Sequence, residues 1–190
     1  MQFERLDIAD VVLLKPKKFG DARGYFMETF RRNLFEEMVG PYQFVQDNQS
    51  LSADVGTIRG LHFQLEPRAQ GKLVSCIAGA ILDVAVDIRS GSPTYGRHVA
   101  AELTAENGHM LWVPPGFAHA FCTLVADTKV SYKVTDYYSP EHDRGLAFDD
   151  PDIGIEWPMP TGQAVLSGKD KQQPKLRDLG TAFTFSSAAS

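Results

Sequence analysis

The chain is short of cysteine, short of basic residues relative to acidic ones, and free of long apolar runs. Cys76 and Cys122 are the only cysteines among 190 residues. Both lie in apolar, strand-like runs, so they are expected as buried free thiols and not as nucleophiles. Nineteen Lys and Arg stand against 24 Asp and Glu, a net charge of −5. Non-specific nucleic-acid binding needs a basic surface, so that class is excluded, although a local basic pocket for a small anion remains open. No apolar run approaches the roughly 20 residues that cross a bilayer, so no membrane span is expected. The start, Met1-Gln2-Phe3-Glu4-Arg5, lacks the basic opening and apolar middle of a signal peptide, which makes the cytoplasm the expected location.

The length suits a single domain over residues 1–190, with a core at about 10–176 and a tail at 177–190. β-Branched and aromatic runs broken by Gly, Pro, Asn or Asp dominate the chain. They predict strands at 11–14, 25–30, 44–52, 57–63, 72–78, 80–88, 97–103, 110–113, 118–124 and 129–137. One helix is expected at 33–39, closed by Gly40-Pro41. The tail should be irregular or weakly helical, and 186–190 frayed. Several short, regularly spaced strands imply an all-β sandwich or barrel with few peripheral helices. The run 81–88 alternates poorly and should lie in the middle of a sheet.

Residues 46–89 carry most of the polar groups that could do chemistry, one or two residues apart within strand-like runs. Polar side chains on buried strands are costly unless they are paired or serve a purpose. Downstream, Gly108-His109-Met110-Leu111-Trp112-Val113-Pro114-Pro115-Gly116-Phe117-Ala118-His119 places a tight turn before a strand that sends His119 inward. This spacing resembles the second signature of the cupin superfamily, which are small jelly-roll barrels. The first cupin signature supplies two histidines one residue apart and then a Glu. Here His62 is followed at the next inward position by Gln64, and Arg68 and Ala69 stand where the Glu would be. His62 and His119 alone fall short of the three or more ligands a stable transition-metal site usually needs, so no metal is expected.

A narrower resemblance runs in order over about residues 10–176. It is carried by Asp21-Ala22-Arg23-Gly24 with Phe26 and Glu28, by Gln46-Asp47-Asn48, by Arg59-Gly60-Leu61-His62-Phe63-Gln64, and by Gln70-Gly71-Lys72-Leu73-Val74. Asp83-Val84-Ala85-Val86-Asp87-Ile88-Arg89, Ser92-Pro93-Thr94-Tyr95-Gly96, Tyr137-Tyr138-Ser139-Pro140, Ile155-Glu156-Trp157-Pro158 and Leu166-Ser167-Gly168-Lys169-Asp170 extend it. The chain resembles the dTDP-4-dehydrorhamnose 3,5-epimerase family, cofactor-independent and usually homodimeric jelly-roll enzymes of deoxysugar-nucleotide synthesis. Ala120 and Phe148 depart from it, standing where many relatives have Gly and Trp.

The residue types suit that chemistry. Epimerisation beside a ketone needs a base on one face, a stabiliser for the enolate oxygen, and an acid on the other face. His62, mostly neutral near pH 7, is the expected base. The resemblance pairs it with Asp170, which would orient the ring and stabilise the imidazolium. Lys72 would hold the enolate, and the resemblance makes Tyr132 the proton donor. Arg23, Arg59 and Lys169 are candidates for diphosphate contacts. Gln46 and Asn48 alternate along a strand and can face one ligand. The resemblance also implies nucleotide-sugar contacts for Phe26, Glu28 and Asp143; His119 would help hold the sugar or the carbonyl, and Tyr138 would stack on the base. The implied reaction converts dTDP-4-dehydro-6-deoxy-D-glucose to dTDP-4-dehydro-L-rhamnose. Three rivals stay open: a C3-only epimerase of a related dTDP-4-keto-6-deoxysugar, a metal-dependent cupin oxygenase or isomerase, and a non-catalytic nucleotide-sugar binder.

Overall fold

The computed structural model describes residues 1–186. The expected fraying of 186–190 falls almost wholly outside that range. In chain order the strands are β1 (Gln2–Arg5), β2 (Val12–Lys15), β3 (Lys18–Asp21), β4 (Gly24–Met27), β5 (Gln46–Ser52), β6 (Ile58–Gln64), β7 (Lys72–Ala78) and β8 (Ala80–Asp87). Then come β9 (Arg89–Ser90), β10 (His98–Thr104), β11 (Met110–Val113), β12 (Phe117–Thr123), β13 (Thr128–Val134), β14 (Asp143–Gly145) and β15 (Phe183–Thr184). The helix α1 (Arg32–Met38) lies between β4 and β5.

Two antiparallel sheets face each other, ordered β1-β2-β11-β7-β13-β5 and β10-β8-β12-β6-β14. Neither closes on itself. This is the all-β sandwich expected from the strand spacing, and it agrees with the jelly roll that the resemblance implies. Between the sheets, Leu13, Val74, Leu111, Val113 and Val130 pack against Ile81, Ala85, Val99, Phe117 and Phe121. On the outer face of the smaller sheet Leu61, Phe63, Val84 and Val86 bury against Leu146, Ile153 and Leu176. The poor alternation of β8 is thereby explained: apolar neighbours cover both of its faces. On the larger sheet, Phe35 of α1 packs on Trp112 with ring centroids 5.2 Å apart.

Sequence and structure differ at the start of the chain. The expected strand at 25–30 is cut to Gly24–Met27, because it pairs only with β3 as a separate two-stranded hairpin. Short pieces such as β1, β9 and β14 lie outside the expected strands. They carry no apolar alternation and are held by their partners' ladders. The tail forms single 3-10 turns, among them Asp170–Gln172.

One irregularity positions the interior. On β12 His119 pairs with His62 and Phe121 with Arg59, so two residues of β12 span three of β6. Regular alternation would put Arg59 and His62 on opposite faces. The extra residue at Gly60 turns both inward. Gly60 has φ +131°, and a Cβ there would meet the Ala120 Cβ at 2.4 Å and the His119 oxygen at 2.5 Å.

Candidate active site

Two adjoining cavities open between the sheets, one of about 310 Å³ and one of about 280 Å³, and both are lined by His62, Lys72 and Tyr132. The outer one also takes in Gln46, Asn48, Gln64, Tyr138, Asp143 and Lys169. The inner one takes in Ser50, Arg59, His119, Phe121, Ser167 and Asp170. The walls have separate origins. His62 and His119 come from β6 and β12 of the smaller sheet, whereas Lys72, Tyr132 and the β5 side chains come from the larger sheet.

His62 Nε2 lies 2.5 Å from Asp170 Oδ1, and Asp170 is buried. A carboxylate only accepts, so Nε2 carries the proton and donates it to Asp170, leaving the Nδ1 lone pair free. Ser167 Oγ donates to Asp170 Oδ2 at 2.8 Å, and the Asp170 amide donates back to Ser167 Oγ at 3.1 Å. Burial alone would raise the Asp170 carboxyl, but hydrogen bonds from His62 and Ser167 and the charges of His62 and Lys169 hold it below its usual value. The carboxylate therefore stays ionised and can stabilise a histidinium.

Burial draws the Lys72 ammonium down to about 8, against the pull of Asp143 and Asp83. Its Nζ donates to the His62 carbonyl oxygen at 3.1 Å. Burial raises the Tyr132 phenol, with Arg59 opposing, so the phenol is a protonated acid at neutral pH. Arg59 is braced by Ser52 Oγ at 3.1 Å and the Leu51 oxygen at 3.0 Å.

The outer cavity is a polar network. Gln46 Nε2 donates to Asn48 Oδ1 at 2.8 Å and its Oε1 accepts from the Tyr138 amide at 3.1 Å. The Tyr138 hydroxyl donates to Asp143 Oδ2 at 3.1 Å, and Lys169 pairs with the same oxygen. Gln64, at the inward position after His62, is buried and fully engaged. It donates to the Arg68 and Tyr137 oxygens at 2.6 and 3.2 Å and accepts from the Ser139 amide at 2.8 Å. Its task is to pin the 137–139 loop. Among the described residues no cluster of three or more His, Cys, Asp or Glu converges on a common point.

Arg23, Phe26 and Glu28 stand apart from this cleft. Arg23 pairs with Asp21 at 2.5 Å at the tip of the β3–β4 hairpin, Phe26 is 70% exposed, and Glu28 pairs with Arg31 at 2.7 Å. Within one chain the structure does not bring them to His62. Both cysteines are free and buried, as expected.

The sequence reading passed over three supporting residues: Ser167, Ser52 and Asp83. Asp83 is fully buried, and its Oδ1 lies 2.8 Å from His119 Nε2. Burial raises its carboxyl, with His119 resisting. The cost of an aspartate on a buried strand was a signal available at Asp83 from the start.

The profile of the dTDP-4-dehydrorhamnose 3,5-epimerase family matches residues 5–178. The chain belongs to that family. It is 62% identical to the dTDP-4-dehydrorhamnose 3,5-epimerase of Sinorhizobium fredii, over 97% of this chain and 94% of that one. The crystal structure of the dTDP-6-deoxy-D-glucose-3,5-epimerase of Legionella pneumophila in complex with dTDP-4-keto-L-rhamnose superposes with a TM-score of 0.93 at 41% identity, over 98% of this chain and 99% of that one. A 3'-monoepimerase from Streptomyces bikiniensis in complex with dTDP-quinovose is also similar, with a TM-score of 0.87, 33% identity, and coverage of 94% and 91%. The chain is thus an isomerase of the carbohydrate-epimerase class with a cupin jelly-roll fold.

Proposed function

We propose that the protein epimerises dTDP-4-dehydro-6-deoxy-D-glucose at C3 and C5, giving dTDP-4-dehydro-L-rhamnose in dTDP-L-rhamnose synthesis. The observation that carries this reading is that His62 and Tyr132 line one cavity from opposite sheets, and that Lys72 lines the same cavity. His62 Nδ1 removes the proton from the carbon beside the C4 ketone, and the Asp170 carboxylate stabilises the resulting imidazolium. Charge moves onto the C4 oxygen, where Lys72 stabilises the enolate. Tyr132 returns a proton to the opposite face, which inverts the centre. The same cycle serves both carbons flanking the ketone. Only protons move, so the reaction calls for no redox cofactor.

In this reading the inner cavity takes the ketosugar, with His119 beside it, and Arg59 and Lys169 take the diphosphate. Gln46, Asn48, Asp143 and Tyr138 line the nucleotide end. We further propose a homodimer in which Arg23, Phe26 and Glu28 reach the partner's cleft. Phe19, Tyr25 and Phe26 are exposed on the hairpin, and Leu51 and Ile77 on the larger sheet, which supports a covered surface. Among the described residues no helix is long and apolar enough to cross a membrane. A cytoplasmic location is part of the same proposal, and action on a nucleoside-diphosphate sugar supports it.

Similarity to a 3'-monoepimerase supports a second reading, inversion at C3 alone. Proton NMR of the substrate in D2O with enzyme separates the two. Deuterium at both C3 and C5 with formation of the L-sugar is the expected result. Inversion at C3 alone would replace the first reading with the second.

A further inference from the structure

Among the described residues, two buried side-chain polar atoms have no hydrogen-bond partner: Ser50 Oγ and Asp83 Oδ2. An unpaired buried hydroxyl is costly, and such atoms point to a ligand or a functional task. Ser50 lines the inner cavity with Arg59, His62, Lys72, His119 and Tyr132. It belongs to the inward row of β5, in which Gln46, Asn48, Ser50 and Ser52 alternate with the exposed Asp47, Gln49 and Leu51. Its neighbours in that row are spoken for. Gln46 and Asn48 bond to each other, and Ser52 accepts from Arg59. Across the ladder Asn48 pairs with Tyr132 and Ser50 with Val130. Ser50 is thus the diagonal neighbour of Tyr132, on the same wall and opposite His62.

We infer that Ser50 is a specificity-determining residue that hydrogen-bonds the C2 hydroxyl of the ketosugar. The inference rests on the epimerase reading above. An uncharged hydroxyl that both donates and accepts matches a sugar hydroxyl, while the charged Arg59 nearby suits the diphosphate. Apart from its C4 ketone, the substrate has two free ring hydroxyls, at C2 and C3. The C3 hydroxyl swings to the other side as its carbon inverts, so a fixed partner cannot hold it through the reaction. C2 keeps its configuration, and one rigid partner on β5 serves every step.

The test compares wild type and Ser50→Ala on dTDP-4-dehydro-6-deoxy-D-glucose and on its 2-deoxy analogue, reading kcat/KM and solvent deuterium uptake. Ser50→Ala should lose about tenfold in kcat/KM on the parent sugar and nothing on the 2-deoxy analogue relative to wild type. Its thermal midpoint without ligand should not fall, since the hydroxyl has no protein partner to lose. Equal losses on both sugars, no loss on either, or a lowered midpoint would each overturn the assignment. Failure of wild type to exchange the parent sugar strikes the epimerase reading instead. Normal wild-type exchange with an indifferent Ser50→Ala strikes Ser50 alone.

Discussion

Lys72 is held in its charged form against the effect of burial, which draws its pKa from 10.5 to about 8. The folded state therefore binds this proton less tightly than the unfolded chain does. Below about pH 8 both states are protonated and the fold bears the full cost of the buried charge. Between about 8 and 10.5 only the unfolded state keeps the proton, so the cost fades as pH rises. Lys72→Met should accordingly raise stability by about 1–2 kcal/mol at pH 7, read by thermal or denaturant unfolding, and that gain should shrink as pH rises past 8. It should also abolish turnover, because the enolate of the proposed mechanism would lose its cation. In wild type, kcat/KM should fall on the alkaline side near pH 8, as the ammonium is lost. Asp170 differs: its carboxyl is held low by the His62 and Ser167 hydrogen bonds in spite of burial. Asp170→Asn keeps the shape but removes the charge that, in the proposed mechanism, stabilises the histidinium. It should cost about 10²–10³ in kcat with little change in KM. His62 and Lys72 could be read from residue type and spacing. Asp170 could be paired with His62 only through the family resemblance, because a contact spanning 108 residues leaves no periodic trace in the chain.

The bulge on β6 is what makes two side chains three positions apart share a face. Gly60→Ala forces a Cβ against the Ala120 Cβ and the His119 oxygen on the strand that also carries His119. The substitution should destabilise by about 2–4 kcal/mol, measured by denaturant titration, with activity falling further than the folded fraction. Arg59 and His62 would otherwise be assigned to opposite faces by strict alternation, and nothing in the local pattern marks the bulge except the glycine. Gln64 was legible only by what it is not, a second histidine. Its bonds to the Arg68, Tyr137 and Ser139 backbone give it a positive role at the element scale. Gln64→Ala should loosen the 137–139 loop and raise KM by about tenfold through Tyr138, leaving kcat nearly unchanged; steady-state kinetics with the nucleotide sugar checks both.

Over the whole molecule, the sandwich was legible because its long strands follow β-branched and aromatic runs. The exposed hairpin was less so, because the strand expected at 25–30 ends at Met27 and its aromatics Tyr25 and Phe26 lie 58% and 70% exposed. In the homodimer proposed above, a second copy of the chain would cover these rings. The protein should sediment as a dimer, and Phe26→Asp should shift it toward monomer and raise KM; a monomeric wild type in analytical ultracentrifugation would contradict this. The central claim is that one base, His62, opens both stereocentres while Tyr132 closes them from the opposite sheet. It is tested most directly by counting solvent deuterium in dTDP-4-dehydro-6-deoxy-D-glucose, by proton NMR in D2O, with His62→Ala and Tyr132→Phe. The account predicts no deuterium at C3 or C5 with His62→Ala, and continued exchange with slowed inversion, most of all at C5, with Tyr132→Phe. Undiminished exchange in His62→Ala would contradict it.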